Sequence, residues 1–544
     1  MTVEPAAAAE DRILRWVRVG AIVLAVFGCF IRFDGLGSKV FWWDETHTGR
    51  AIAGSWRPEV IKEVFDGRVQ TRDRILVHQF PREGRTAKNT VRMLASEDPR
   101  QTFLYFVLAR AWVKTFGSSV AVLRAFSAVL GIISLPLVFL LGRELFGRSL
   151  EGWLAVGLIA VSPLHFVYAQ EARQYMLWVD LVLLASWSLL VAMRRTQEQS
   201  RPAWLWYVLY TGAIGLALIT HLLTVLVMAA HLLFVVVGER FRLTVVVWLT
   251  ACAQLVVALL FWPWARSILT EAKHRAWIPW AATDIGFAEW LRKVVGSYAR
   301  PFFDIDIGSA NLKYIDQAPG VLTLAIALVG VVLLVRFAPP RARLFLIFLG
   351  SICSMPMIAV DLYSGGWRTV IIRYQFPAVI ALQLCVAFGI AHLLMRGERR
   401  WRRVGAGAAV LLVACGVYSG VLYRRAEVWW NKGSARTLLA AAKYVEQWPA
   451  SLVVSSMSNG LSMGTALSLA HVLNDRSRIL LVVEPEVPVI PDEYEDVFVW
   501  RVSNAMLDRL AEAGWRLEEV NAPNLYRLSR PSAGIAVVNP TPIF

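Results

Sequence analysis

Residues 17–33, VRVGAIVLAVFGCFIRF, lead into Trp42-Trp43-Asp44-Glu45. The first stretch is apolar and nearly long enough to cross a bilayer, which takes about 20 residues, or slightly fewer when flanking side chains snorkel. Trp42 and Trp43 suit the headgroup level. Two carboxylates then stand at the membrane surface, where charge is costly unless it has a task. Taken alone, the motif reads equally as the solvated start of a loop. The rest of the chain decides between these readings.

Hydrophobic residues make up 57% of the 544 and charged residues 18%, with a mean hydropathy of +0.52. A soluble globular chain is excluded on that composition, and a multi-span helical membrane protein is indicated. The net charge of +16 would suit nucleic acid. Its distribution argues against that partner, because many Lys and Arg fall in short connectors between apolar runs, where they set topology and attract anionic lipid. The five cysteines, Cys29, Cys252, Cys353, Cys385 and Cys415, all lie in apolar segments, and no CxxC pair occurs. Neither a disulfide framework nor a cysteine metal site is indicated. The first apolar run has no small-residue cleavage site after it and reads as a retained anchor.

Further apolar runs lie at 120–141, 150–168, 174–193, 204–220, 222–238, 243–265, 319–337, 343–361, 371–395 and 404–423. With the first span they predict about 11 transmembrane helices. Arg143/Arg148, Arg194/Arg195/Arg201, Arg240/Arg242, Arg336/Arg341/Arg343 and Arg396–Arg403 mark one set of connectors. The alternate connectors, near Ala169–Arg173, His221 and Leu362–Thr369, carry little positive charge, so the basic set is expected in the cytoplasm. Thr102–Phe116 is apolar but short and interrupted by Arg110 and Lys114. It is read as a helix in the outer interface, since counting it as a span would invert every later connector; a true span with another run omitted is the alternative. Residues 1–423 thus form a transmembrane module, with extracytoplasmic loops at 41–101 and 266–319. Residues 424–544 alternate helical and extended patterns and read as a small extracytoplasmic α/β domain. Extended segments are expected at Leu452–Ser456, Ile479–Val483 and Val497–Val502, and helices at Ala435–Gln447, Leu461–Leu473 and Ala505–Ala513.

Four constellations face one side of the membrane in this topology. They are Asp44-Glu45, with His47 close by; Glu97-Asp98-Pro99; Tyr168-Ala169-Gln170-Glu171-Ala172-Arg173-Gln174-Tyr175; and Arg373-Tyr374-Gln375-Phe376-Pro377, with Arg368 just before it. Each has a plainer account. Glu97-Asp98-Pro99 suits a helix N-terminus. Glu171 and Arg173 suit an interhelical ion pair, and Arg373 and Tyr374 suit interface anchors. His165 and His221 read as structural, and Trp262–Trp264 and Trp277–Trp280 as an aromatic belt. As a group the four say more. Carboxylates activate a hydroxyl or hold a divalent ion, and arginines bind phosphate. Acids and arginines on the rims of several spans suit a phosphate-linked lipid whose tail stays in the bilayer.

The order Trp-Trp-Asp-Glu, then Glu-Asp-Pro, then Ser162-Pro163 through Tyr175 resembles the GT-C superfamily of membrane glycosyltransferases. It is most similar to the bacterial branch related to protein O-mannosyltransferases and to the galacturonic-acid and aminoarabinose transferases of lipopolysaccharide. The similarity covers roughly residues 10–400, and the Gln170-Glu171-Ala172-Arg173-x-Tyr175 string is its most specific element. Arg373-Tyr374 with Pro377 resembles a further family element. Two features depart from it. Relatives usually carry Pro-Pro-Leu-Tyr where this chain has Arg100-Gln101-Thr102-Phe103-Leu104-Tyr105, and the first loop holds a basic insertion, Arg68–Arg92.

The resemblance implies transfer of a sugar from a polyprenyl-phosphate donor to a hydroxyl of a glycan, lipid or protein, with inversion, on the outer face of a bacterial inner membrane. By resemblance, Asp44 is the general base. Glu45, Glu97 and Asp98 orient the acceptor, and Asp44, Glu97 and Asp98 are the candidates to hold a divalent metal. Arg173, Arg373 and Arg368, with Tyr374, take the donor phosphate. His47, Tyr168, Gln170, Glu171 and Tyr175 lie in its vicinity. A ligase or polymerase of lipid-linked glycans is the nearer rival. A lipid or sugar transporter is the more distant one, and it would call for internal repeats that the chain lacks.

Overall fold

The computed structural model describes residues 4–199, 202–274, 286–306 and 314–530. The Trp277–Trp280 segment and parts of the 266–319 loop lie outside the described residues. Two compact units divide the chain. One comprises Met1–Lys39 and Ala87–Asn431, the other Val40–Thr86 and Lys432–Phe544.

The first unit is helical. Among the described residues, eight helices are long and apolar enough to cross a membrane. Ser149–Ala160 and Pro163–Ala169, bent by 60° at their junction, make a ninth when counted as one span, and Ala203–Leu218 and Thr224–Gly238 are shorter apolar helices. The Leu104–Phe116 helix has 13 residues, about 20 Å at 1.5 Å per residue, which is too short to cross. Tyr175–Gln197 and Ile372–Leu394 are the central spans. Of their apolar windows 89% and 83% are buried, against 11% for the first span. The Arg173-Tyr175 and Arg373-Tyr374 motifs therefore open the two most enclosed spans of the unit.

The bend at Ala160 has a local cause. Pro163 opens the second half-helix, and a proline supplies no N–H to the turn before it. The carbonyls released there must be satisfied within the protein. Arg32, fully buried, does this: Nη1 donates to Ala160 O at 3.0 Å and Nη2 to Ile159 O at 3.0 Å. Gly28 makes room for it, since a Cβ there would lie 2.2 Å from the Ala160 oxygen. At the end of the first helix, Gln170 Nε2 donates to Ile31 O at 2.6 Å and Asp34 O at 2.7 Å. The Ile31 carbonyl belongs to the last turn of Glu4–Phe33, where carbonyls have no partner within the helix.

The second unit is built on a six-stranded sheet. Its strands are β1 (Val69–Gln70), β2 (Leu452–Met457), β3 (Arg478–Val483), β4 (Val497–Trp500), β5 (Arg516–Glu519) and β6 (Leu525–Ser529), in the order β1-β3-β2-β4-β6-β5. β3, β2 and β4 are parallel and the remaining pairs antiparallel. A parallel centre is covered on both faces, so its strands read as continuous apolar runs, and every residue of β2 is buried. The Gly460–Val472 helix makes the β2-to-β3 crossover. One core face gathers Leu452, Val454, Leu480, Val482, Val497, Val499 and Leu528. The edge strand β1 comes from the basic first loop and pairs Val69 with Leu480. The charges of that loop are locally matched: Glu59 pairs with Arg82 at 2.9 Å and Arg85 at 2.6 Å, and Asp66 with Arg74 at 2.7 Å.

Candidate active site

In the second unit, Asp44 and Glu45 occupy the first turn of the Trp43–Ala53 helix, where carboxylates interact favourably with the helix dipole. Both are buried, and they are committed differently. Glu45 Oε2 lies 2.7 Å from Lys432 Nζ, which also donates to Val40 O at 3.3 Å. Glu45 therefore ties this helix to the chain returning at Lys432. Asp44 sits between Trp43 and Glu45, and a small hollow of about 10 Å³ is lined by Trp42, Trp43, Ser434, Thr465 and Arg501. The helix packs on Gly460–Val472 through Thr46 Oγ1, which donates to Gly464 O at 2.9 Å. A Cβ at Gly464 would stand 2.9 Å from His47 Nε2, so the glycine sets that approach.

In the first unit, Glu97 ends the Ala87–Glu97 helix and Asp98-Pro99 follow it. They end a helix rather than begin one, so the N-terminal account does not hold for them. Trp264 Nε1 donates to Pro99 O at 2.8 Å. Trp264 is thus a buried anchor rather than part of an aromatic belt, whereas Trp262 is exposed. Asp98 faces Arg100 at 3.3 Å, and Arg100 also reaches Glu271 at 3.6 Å. A cavity of about 620 Å³ opens beside them, lined by Ala95, Ser96, Arg266, Ser267, Thr270 and Glu271. Among the described residues, no group of three or more His, Cys, Asp or Glu comes together. The described side chains therefore do not fit a multidentate ion site, and no step below passes through a metal.

The tyrosine–arginine string folds into one cluster. Arg173 Nη2 and Gln174 Nε2 both donate to Gln101 Oε1, at 3.2 Å and 3.0 Å. Glu171 Oε2 accepts from Asn431 Nδ2 at 2.5 Å. Tyr168 meets Tyr175 edge-on at 5.1 Å between ring centroids and Phe376 at 5.4 Å. Arg373 lies over the Tyr175 and Tyr374 rings at 5.7 Å and 5.5 Å. His221 stacks on Trp178 at 4.2 Å and approaches Tyr374 at 6.0 Å. Burial, and then Arg173 and Arg373, push His221 down to about 3. The two arginines of separate motifs thus both act electrostatically on one imidazole. Arg368 is differently placed: its guanidinium meets Asp361 at 3.3 Å, and Asp361 also accepts from the Arg368 and Thr369 N–H groups. Gln170 caps the first span, as described above.

Sequence reasoning passed over Gln101, Lys432 and a group around Asp304. Asp304 accepts from the Trp429 indole at 2.8 Å and from the Trp430 indole, and Arg300 lies over the Trp430 ring at 3.8 Å. The readable signal was a charged pair, Arg300 and Asp304, set in an apolar run, together with a second tryptophan pair beyond the last span.

Residues 100–265 match the family described as dolichyl-phosphate-mannose-protein mannosyltransferase. No curated protein matches the sequence. Among solved structures, ArnT from Cupriavidus metallidurans in the apo state is similar with a TM-score of 0.54 and 12% identity, over 94% of this chain and 97% of that one. The same protein bound to undecaprenyl phosphate gives 0.51 and 13%, over 95% and 98%. The chain is a multi-pass membrane protein that shares the fold of ArnT. The family similarity lies in the part of that fold holding the Tyr168–Tyr175 string.

Proposed function

We propose that this protein is a membrane glycosyltransferase that moves one sugar from a polyprenyl-phosphate donor to a hydroxyl of a glycan, lipid or protein acceptor, inverting the anomeric centre. The observation that carries the reading is the placing of Arg173 and Arg373 at the mouths of the two most buried spans, with Arg373 over the Tyr175 and Tyr374 rings. A cationic, tyrosine-lined site at the end of apolar helices suits a phosphate whose lipid tail lies along those helices. The fold shared with ArnT supports the same reading. The basic connectors support an outer-face location for this site in a bacterial inner membrane.

In the proposed reaction, Asp44 takes the proton of the acceptor hydroxyl as its oxygen attacks the anomeric carbon. The bond from that carbon to the phosphate oxygen breaks, and its electron pair leaves with the phosphate. Charge grows on the leaving oxygen, where Arg173 and Arg373 are preorganised to receive it. The buried pair with Lys432 assigns Glu45 to holding the Asp44 helix in place, and the Asp361 pair assigns Arg368 to fixing its loop. Glu97 and Asp98 directly follow Ala95 and Ser96, which line the 620 Å³ cavity, and are the proposed acceptor-facing acids.

Mass spectrometry of lipids that co-purify with the protein tests this directly. A polyprenyl-phosphate sugar is the expected species. Equal binding of undecaprenyl phosphate and undecaprenol to the purified protein would sink the reading, because nothing in the site would then be recognising phosphate.

A further inference from the structure

We infer that Arg300 is a third phosphate-binding arginine, aimed by Trp430 and Asp304; the inference rests on the donor reading above. Arg300 follows the Phe287–Ala299 helix, on a stretch of chain that carries none of the family-like motifs. Three contacts fix that stretch against the elements that do. Ser162 Oγ, at the start of the Pro163–Ala169 helix that carries Tyr168, donates to Pro301 O at 2.7 Å. Ser297 Oγ donates to Val370 O at 3.0 Å. Tyr298 Oη donates to Gln375. The turn bearing Arg300 is thus stitched to the turn bearing Arg373 and to the helix bearing Tyr168.

The side chain is aimed as well as anchored. Its guanidinium lies 3.8 Å from the centroid of the Trp430 ring. The indole of Trp430 is itself held by Asp304, whose backbone N–H donates to Ser419 Oγ at 3.0 Å. Stacking on an aromatic face leaves the in-plane N–H groups of a guanidinium directed sideways. One of them, Nη1, donates to Ser297 Oγ at 3.3 Å. Nε is buried and has no hydrogen-bond partner among the described residues. Arg300 and Arg373 both act electrostatically on Tyr168, and Arg373 acts on His221 together with Arg173. Guanidiniums from three separate stretches therefore act on the linked Tyr168, Tyr175 and His221 rings. Asp304 and Asp306 act on Arg300, and Glu171 acts on Tyr168. The buried Nε of Arg300 is the donor left over for a further anion.

The test compares binding of undecaprenyl phosphate and undecaprenol to the purified full-length protein, wild type and variants. The ratio of the two affinities isolates phosphate recognition from tail recognition and from general loss of structure. Arg300→Ala should lower that ratio about 10- to 100-fold, the scale of one charge-assisted hydrogen bond. Arg300→Lys should lose less. Trp430→Phe keeps a ring face under Arg300 but drops the bond to Asp304, and should give a smaller loss in the same ratio. If Arg300→Ala does not fold, Arg300→Lys and Trp430→Phe carry the test together. An unchanged ratio in the folded variants overturns the assignment and leaves Arg300 a packing residue. A wild-type ratio near one would fail earlier and differently, by removing the donor reading itself.

Discussion

Gln101 accepts a hydrogen bond from Nη2 of Arg173 at 3.2 Å, across 72 positions of sequence. The amide also accepts from Gln174, so the segment after the second acidic motif fixes the direction of an arginine in the third. A polar residue at this point thus orients a proposed phosphate ligand.

The donor arginines give the first prediction. Arg173→Ala and Arg373→Ala should each weaken binding of a polyprenyl-phosphate sugar about 10- to 100-fold. The Lys variants should fall between, because lysine keeps the charge and loses the fork. Donor affinity measured on folded protein decides it. No change in either Ala variant would return both side chains to helix packing.

Asp44 is the second. An acceptor hydroxyl is a poor nucleophile at neutral pH, and loss of a general base typically costs ~10²–10⁴-fold. Asp44→Asn should therefore lower kcat by that order while the donor still binds. Asp44→Glu shifts the carboxylate by about 1 Å, a displacement that can cost ~10²-fold. Near-normal turnover by Asp44→Asn would move the search for the base to Glu97 or Asp98.

The Glu45–Lys432 pair is structural in its geometry, and its removal should show in stability before chemistry. Lys432→Met leaves the Glu45 charge buried without its cation, which typically costs about 3–5 kcal/mol. Pairing it with Glu45→Gln should recover much of that loss. Thermal unfolding of the two single variants and the double variant measures the coupling; additive losses would mean the two side chains do not act as a pair.

Gly28→Ala is predicted to disturb the broken span. A methyl group at 2.2 Å from Ala160 O must displace either the carbonyl or Arg32, and overpacking of this kind costs about 1–3 kcal/mol. A melting temperature equal to wild type would show that the junction is looser than its contacts imply.

The pH dependence follows from His221. Its pKa is depressed from 6.5 to about 3, so the folded state binds its proton less readily than the unfolded chain does. The contribution is fully present above pH 6.5 and is lost as pH falls from 6.5 toward 3. Stability of the purified protein should decline over that window, and more shallowly in His221→Gln. An identical decline in the variant would place the titrating group elsewhere.

The spans were legible because membrane helices are written in long apolar runs, and the 104–116 helix was legible as one too short to cross. β2, β3 and β4 were legible as apolar runs between turns. β1 was not, since Val69-Gln70 sits among arginines and is a strand only because Leu480 and Ile479 supply its partners. β5 and β6 were not, because an edge hairpin of Arg516–Glu519 and Leu525–Ser529 shows little apolar alternation. Arg173 and Arg373 were singled out by motif. That both act on His221 depends on helix packing that no spacing encodes. Arg300 shares no motif with them, and its place depends on tryptophans more than a hundred residues away.

The sheet unit also sets a timetable for synthesis. Glu45 and Lys432 lie 387 residues apart, and chains are made at ~5–20 residues per second, so roughly 20–80 s separate the two halves of one ion pair. Through that interval every span between them is inserted while the 40–86 segment has neither its cation nor the strand that β1 joins. A ribosome that stops before Lys432 leaves a complete set of spans and an unfinished sheet. The segment from Lys432 onward is thus the closing piece of the unit begun at Val40, and its loss would be felt first around Glu45 and Asp44.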